Sequence, residues 1–280
     1  MSRILYGQPV AEAITSKAAE MAAKLRARGI VPALALIRVG TGGGAAGAEY
    51  ERLAVEACAA ANVEAYCAYM PDATRLESNL DNINRDPSIH GAVFLRPLTD
   101  GDAEDLLRRK LDRFKDVNGV SLSSLAAIFV GHGEAFVPCP AKAAMELLDY
   151  YGVELSGKRV AIIGRSLTVG KPLGMLMLER DATVTLCHAD DIVTDICSAS
   201  DVIVCGMPDV LSRDCFRAGQ TLLDLGDNIT GKGNLSATDL DTASSLGVNV
   251  APHDSGVPVV SHAVLALHTV QAAALQNGLM

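Results

Sequence analysis

The chain has 280 residues, of which 49% are hydrophobic and 20% charged, and it contains no Trp. This composition is typical of a folded globular protein and excludes collagen, coiled coil and disordered tail, while the length suggests about two domains. The 33 acidic residues outnumber the 24 basic ones, which gives a formal net charge of -9. A broad electrostatic contact with nucleic acid is therefore not expected, and the composition favours a small ligand.

The seven cysteines are scattered and never spaced as CxxC. This pattern favours neither a zinc ribbon nor a disulfide framework, and it fits a reducing cytoplasm. The N-terminal residues MSRILYGQPVAEAI lack the basic-then-apolar layout of a signal peptide, and we expect no apolar run that approaches the roughly 18 residues that span a bilayer. We therefore expect a cytoplasmic protein with no membrane or nucleic-acid partner and no metal site.

The first half of the chain alternates helical patterns with short apolar runs. Helical spacing covers residues 10–28 and a strand follows at 31–40, after which 41–50 is predicted as a flexible loop. The next predicted elements are a helix at 51–63, a strand at 64–70, a helix at 76–86 and a buried strand at 90–98. This alternation predicts a mostly parallel sheet with helices on its faces.

The second half continues the alternation. A helix is predicted from about Pro140, and residues 155–191 form a strand, a glycine-bearing turn, a helix and a strand. Three further apolar runs of strand length follow, and then a long alanine-rich helix that begins near 257. The sequence thus predicts two α/β domains, the second a Rossmann-like doubly wound parallel sheet. The predicted boundaries are 1–140 plus 262–280 for the first domain and 141–261 for the second.

The strongest local signal is the segment KRVAIIGRSLTVGKP. Gly164 ends a predicted strand and Gly170 opens the next helix, whose N-terminus can face a phosphate. The spacing matches neither GxGxxG nor the P-loop pattern. Dinucleotide binding is favoured here, with a plain tight turn of an α/β fold as the alternative.

The same segment, followed by ATVTLCH, closely resembles the cofactor segment of the bifunctional methylenetetrahydrofolate dehydrogenase/methenyltetrahydrofolate cyclohydrolase family, called FolD in bacteria. The resemblance continues in order through RILYGQPVAEAI, YER with Cys58, HGAVFLRPL, RFKDVNGV, FVPCPAKAAMELLDYYG and LLDLGDN, and APHDSGVPVVSHAVL takes the place of a glycine-rich family loop. It implies a cleft between two domains, with folate on the first and the nicotinamide delivered by the second. It also implies a homodimer.

On the substrate side, the resemblance implies catalytic roles for Tyr50 and Asn118 and substrate contacts for Tyr50, Leu95, Arg96, Asn118 and Gly256. The family lysine is replaced by Ala54, and the family aspartate by Asn118. Because the lysine moves protons during ring opening, its loss should impair the cyclohydrolase step more than hydride transfer. We expect slow oxidation of the methylene form and little ring opening, unless another group replaces the lysine.

On the cofactor side, the resemblance implies contacts from Gly164, Arg165, Ser166, Val169, Gly170, His188, Gly226 and Asp227. The resemblance implies NADP as the cofactor, and Arg165 can bind its 2′-phosphate. NAD is the competitor, because Asp190 and Asp191 follow the second strand, where an acid would accept from a ribose 2′-hydroxyl. Two other interpretations stay open: a paralogue that kept the fold and the dinucleotide site but lost folate turnover, and an enzyme that acts on another imine-like substrate.

Overall fold

A computed structural model describes residues 2–40, 44–96, 98, 101–131, 135–188, 191–226 and 233–279. The chain divides into two compact units. The N-terminal unit comprises Glu12–Cys139 and His262–Met280, and the C-terminal unit comprises Met1–Ala11 and Pro140–Ser261. The divisions fall inside three helices: α1 (Gln8–Arg26), α6 (Cys139–Tyr150) and α10 (Val257–Gln276).

The N-terminal unit has a three-stranded parallel sheet in the order β2-β1-β3. Its strands are β1 (Ala33–Val39), β2 (Glu64–Met70) and β3 (Gly91–Phe94). Its other helices are α2 (Gly44–Ala60), α3 (Leu76–Arg85), α4 (Gly101–Lys110) and α5 (Leu122–Val130). The helices bury apolar residues at helical spacing against the sheet, as α3 does with Leu76, Leu80 and Ile83.

The C-terminal unit has a five-stranded parallel sheet in the order β5-β4-β6-β7-β8. The strands are β4 (Arg159–Ile163), β5 (Thr183–Cys187), β6 (Val202–Cys205), β7 (Thr221–Asp224) and β8 (Asn249–Ala251). The helices between them are α7 (Gly170–Leu178), α8 (Thr194–Ala199) and α9 (Ala237–Ser245). The strand order reverses between β4 and β6, so the predicted doubly wound sheet and the two α/β units are confirmed.

Helix α2 begins at Gly44, earlier than the sequence pattern predicts. Residues 44–50 were expected in a loop because glycine and alanine dominate them, but packing of the helix face that carries Gly47, Ala54 and Cys58 outweighs their weak preference. Tyr50 therefore lies on the helix, one turn before Ala54. Helix α5 has no counterpart in the sequence-based expectation, since its Phe129 and Val130 are exposed and break the amphipathic pattern.

The first residues of the chain pack with the C-terminal unit, whereas the sequence-based boundary assigns them to the first domain. The Leu5 N–H donates to the Val250 carbonyl at 2.8 Å, and the Val250 N–H donates to the Arg3 carbonyl at 2.9 Å. The segment thus adds a parallel bridge to β8, the edge strand of the sheet. This pairing satisfies backbone groups that an exposed edge would leave open, which is its physical cause.

Helix α10 is the one helix in the described ranges that is long and apolar enough to cross a membrane, with a mean hydropathy of 1.4 over its richest window. The sequence-based expectation that no apolar run approaches this length therefore missed α10. Its window is 78% buried inside the protein, as in the core helix of a soluble fold.

Candidate functional site

In the turn between β4 and α7, the backbone at Gly170 packs directly against the backbone at Gly164. Gly164 has a φ of +116°, a conformation that side chains rarely adopt. Gly170 is buried, and a Cβ there would lie 2.0 Å from the Gly164 carbonyl oxygen. Only glycine fits both positions, and the turn follows the strand at which the sheet order reverses.

The N–H groups of this turn are directed differently from the sequence-based expectation, which aimed them at a phosphate. The Ser166 hydroxyl accepts from the Val169 N–H at 3.1 Å and from the Gly170 N–H at 3.4 Å. The Ser166 carbonyl accepts from the Lys171 N–H at 3.1 Å. The exposed residues Arg165 and Ser166 can still offer an anion the guanidinium and a hydroxyl hydrogen.

Three other positions lie where parallel strands of this sheet end. His188 follows β5, Gly206 follows β6 and Gly226 follows β7. In an open α/β sheet, ligands bind beside the carboxyl ends of the strands at the reversal of strand order. Gly164 and Gly206 mark that reversal, because a Cβ on Gly164 would lie 3.5 Å from the Gly206 carbonyl oxygen.

Gly226 is fixed by a close approach of His253. Its φ is +68°, and a Cβ there would lie 2.0 Å from the His253 Nδ1. The Gly226 N–H donates to the buried Asp224 carboxylate at 2.9 Å, and the N–H groups of Asn234 and Leu235 donate to the same carboxylate at 3.1 Å. The end of β7 is thereby rigid. Asp227, the last predicted cofactor residue, lies outside the described residues.

The loop at Gly256 is equally constrained. The Gly7 N–H donates to the Ser255 carbonyl at 2.6 Å, and a Cβ on Gly7 would lie 2.1 Å from the Gly256 carbonyl oxygen. A Cβ on Gly256 would lie 2.5 Å from the Pro252 carbonyl oxygen. The two backbones touch, so neither glycine accepts a larger residue.

These residues fit a dinucleotide. A glycine turn at the reversal of the sheet lets a ligand approach the backbone, and an exposed guanidinium can bind a phosphate. The Asp191 carboxylate accepts a hydrogen bond from the His188 backbone N–H at 2.5 Å, which stabilises the turn after β5. Asp190, the other acid expected near the ribose, lies outside the described residues. Across those residues we find no group of three or more His, Cys, Asp and Glu placed to hold a metal ion.

In the N-terminal unit, α2 brings Tyr50, Ala54 and Cys58 onto one face at four-residue spacing. Position 54, where the family resemblance places a lysine, is an alanine and therefore carries no amine. Ala54 is fully buried. The ring of Tyr50 lies 4.9 Å from the ring of His262, centroid to centroid, at an angle of 51°. Burial raises the pKa of the Tyr50 phenol well above its ordinary value, so the phenol stays protonated.

Asn118 sits in a turn that Asp116 organises. The buried Asp116 carboxylate accepts from the N–H groups of Val120 and Ser121 at 3.0 and 2.8 Å and from the Ser124 hydroxyl at 2.7 Å. Burial raises the pKa of this carboxyl, an effect that these hydrogen bonds oppose. The Oδ1 of Asn118 is shielded from solvent and accepts no hydrogen bond in the described structure, so it can accept one from a ligand after a small movement.

The two residues after β3 behave differently from one another. Leu95 is buried, and its backbone N–H donates to the Ile37 carbonyl at 2.8 Å. The Arg96 guanidinium lies 2.9 Å from the Glu104 carboxylate, which Arg108 also contacts at 3.2 Å. One carboxylate therefore serves two guanidinium groups. Burial lowers the pKa of Arg96, which nonetheless stays charged at neutral pH.

Cys139 and His268 both contact the backbone carbonyl of Val117, the residue before Asn118. The Val117 carbonyl accepts from the Cys139 thiol at 3.4 Å and lies 2.9 Å from the His268 Nδ1. Cys139 is completely buried, and burial raises the pKa of its thiol, as is typical of a structural cysteine. The sequence offered no pattern that links His262 or His268 to this region, because both contacts join distant parts of the chain. The Arg108 contact with Glu104 is local, at a spacing of four residues on α4, and the i,i+4 charge pattern could have indicated it.

Comparisons with known proteins agree over nearly the whole chain. Residues 5–118 match the sequence profile of the tetrahydrofolate dehydrogenase/cyclohydrolase catalytic domain, and residues 138–277 match the profile of its NAD(P)-binding domain. The chain is 32% identical over 286 residues to the bifunctional protein FolD of Clostridium kluyveri, with full coverage of both.

Two solved structures show the same fold. The bifunctional FolD enzyme from Campylobacter jejuni has a TM-score of 0.89 and 27% identity, covering 98% of this chain and 99% of that one. FolD from Trypanosoma brucei, solved with NADP and an inhibitor, has a TM-score of 0.86 and 28% identity, covering 97% of each chain. The resemblance predicted from the sequence is thereby confirmed, and the chain belongs to the tetrahydrofolate dehydrogenase/cyclohydrolase family.

Proposed function

We propose that this protein oxidises 5,10-methylenetetrahydrofolate to 5,10-methenyltetrahydrofolate with NADP as the hydride acceptor, NAD being the second choice. The observation that carries the proposal is the glycine turn at the strand reversal, in a chain that belongs to the family over its full length. The Trypanosoma brucei relative was solved with NADP, which supports the order of the two cofactors. Interpretations without folate turnover are not favoured.

The residues divide the work between the two units. Bound NADP supplies the carbon that accepts hydride. Arg165 would bind phosphate beside the turn that Gly164 and Gly170 form, and Gly226 lies after β7 in the same sheet. Tyr50, Asn118 and Arg96 bind and orient the folate, with Asn118 offering an unused amide oxygen and Arg96 a positive charge. Hydride transfer needs orientation above all, which these residues supply without a proton donor.

Ring opening by water is the weaker half of the proposal. This step requires proton transfer, which a positioned acid or base accelerates by roughly 10²- to 10⁴-fold. Ala54 supplies no such group, so a lysine-based ring opening does not operate in this chain.

The test is an absorbance assay with purified protein, methylenetetrahydrofolate and either NADP or NAD. We expect reduced cofactor and methenyl product to form together, faster with NADP. Each cofactor alone should also raise the melting temperature, by an amount that follows mass action. Binding of folate and cofactor without any oxidation would refute the proposal, and turnover of the protein with NAD alone would reverse the cofactor order.

We further propose a cytoplasmic homodimer. All seven cysteines are free thiols, which supports a reducing compartment. The edge strand β2 carries Tyr66 and Tyr69, which are 50% and 65% exposed, and this supports self-association through that strand. Sedimentation of the native protein and of a Tyr69→Lys variant tests the dimer.

A further inference from the structure

The imidazole of His262 lies against Tyr50, on the α2 face that carries the buried Ala54. His262 is half-buried and belongs to α10, and its ring is the nearest described aromatic partner of Tyr50. We infer that His262 is the proton-transfer group for ring opening of the methenyl substrate, in the role that an amine at position 54 cannot take. This inference rests on the proposed function, because it assumes that folate binds beside Tyr50.

Four other ionisable groups lie at this point, on Tyr50, Cys58, Cys139 and Glu49, and they are poorly suited to the task. Burial raises the pKa values of Tyr50 and Cys139 well above neutrality and that of Cys58 to about 12. Glu49 is held by Arg52 through hydrogen bonds of 2.9 and 2.6 Å, and this contact lowers its pKa. An imidazole changes charge near neutral pH, so it can both accept and return a proton during one turnover.

Glu49 adds a favourable electrostatic contribution. The charge of His262 helps to lower the pKa of the Glu49 carboxyl, so the two groups are close enough to interact. Glu49 is exposed, and solvent keeps this effect small.

The proton balance of the step closes without a further reagent. A water oxygen bonds to the methenyl carbon while one water proton passes to neutral His262. The hydroxyl of the resulting adduct then loses its proton to solvent as the C=O bond forms and the C–N5 bond breaks. N5 takes the proton from the imidazolium, so His262 returns to its neutral form. The net reaction consumes the methenyl cation and water and releases 10-formyltetrahydrofolate and one proton.

The experiment compares ring opening and hydride transfer in the native protein, in His262→Ala and in His262→Gln. We expect His262→Ala to lose about 100-fold or more of its ring-opening rate and to keep hydride transfer nearly unchanged. Added imidazole should restore part of the lost rate in His262→Ala, where the ring has left space, and much less in His262→Gln. His90→Gln is the matched control, since it removes an imidazole elsewhere in the same unit; it should change neither rate.

Several results would overturn the inference, and each differs from a failure of the proposed function. Parallel loss of both rates in His262→Ala, or a loss that imidazole does not restore, would show that His262 only shapes the site. Native protein that oxidises methylenetetrahydrofolate but opens the methenyl form no faster than buffer would exclude the role of His262 and leave the proposed function standing. Absence of oxidation in the native protein would refute the proposed function itself.

Discussion

Replacing Gly170 with alanine tests whether the β4–α7 turn is the rigid element of the cofactor site. The added Cβ would lie 2.0 Å from the Gly164 carbonyl oxygen and 2.9 Å from its carbonyl carbon, and both are backbone atoms that cannot rotate away. The turn must open by about 1 Å to reach ordinary contact, and such overpacking costs about 1–3 kcal/mol. If NADP requires the native turn, the same strain reduces its affinity by about 5- to 150-fold.

Gly174→Ala is the matched control on the same helix. Its Cβ would lie 3.4 Å from Leu186, an ordinary contact, and alanine favours the helix over glycine by about 0.5–1 kcal/mol. The measurements are the melting temperature of both variants and their affinity for NADPH by calorimetric titration, each compared with the native protein. The reasoning is refuted if Gly170→Ala melts and binds NADPH like the native protein, because the turn would then have room that the geometry denies.

Four further outcomes are expected. Arg165→Ala should weaken NADP about fivefold more than NAD in titrations, since only NADP carries a phosphate on the ribose; equal weakening would contradict a contact between Arg165 and that phosphate. His268→Ala should lower the free energy of unfolding in urea by about 1–3 kcal/mol, because the Val117 carbonyl loses one of its two buried partners and keeps only the Cys139 thiol; unchanged stability would deny that support. Ala54→Lys should raise ring opening more than hydride transfer, at a cost in melting temperature because the position is fully buried, and a raised hydride-transfer rate alone would argue against the role of an amine. Burial lowers the pKa of His90 below 6.5, so its contribution to stability is present above pH 6.5 and is lost as pH falls through the lowered pKa; His90→Gln should show a smaller loss of stability between pH 7.5 and pH 5.

The elements with a strong local signal are the ones that could be predicted from the sequence. The β4 strand, the turn from Gly164 to Gly170 and α7 follow from an apolar run, two glycines and a helical pattern that are neighbours in the chain. The start of α2 could not be predicted, because Gly44 and Gly47 are weak helix formers on their own and packing decides.

The chemistry of the site depends more than the secondary structure does on contacts between residues far apart in the sequence. Alignment by motif locates Tyr50, Ala54 and Asn118, since each lies within a recognisable segment. The contact between Tyr50 and His262 joins α2 to α10 across most of the chain, and no spacing rule reaches that far. The hydrogen bonds from the Val169 and Gly170 N–H groups to the Ser166 hydroxyl likewise depend on the geometry of the turn, which the sequence pattern does not specify.

The pairing of the first residues with β8 also has a consequence for synthesis of the protein. The C-terminal unit contains both Met1–Ala11 and the segment up to Ser261, which is translated much later. The N-terminal unit needs His262–Met280, which are translated later still. Neither unit can be completed until both of its segments have emerged from the ribosome, and such long-range closure slows folding. Until β8 has been translated, the backbone groups of residues 3–7 therefore have no strand to pair with, and chaperones or a neighbouring nascent chain can bind them.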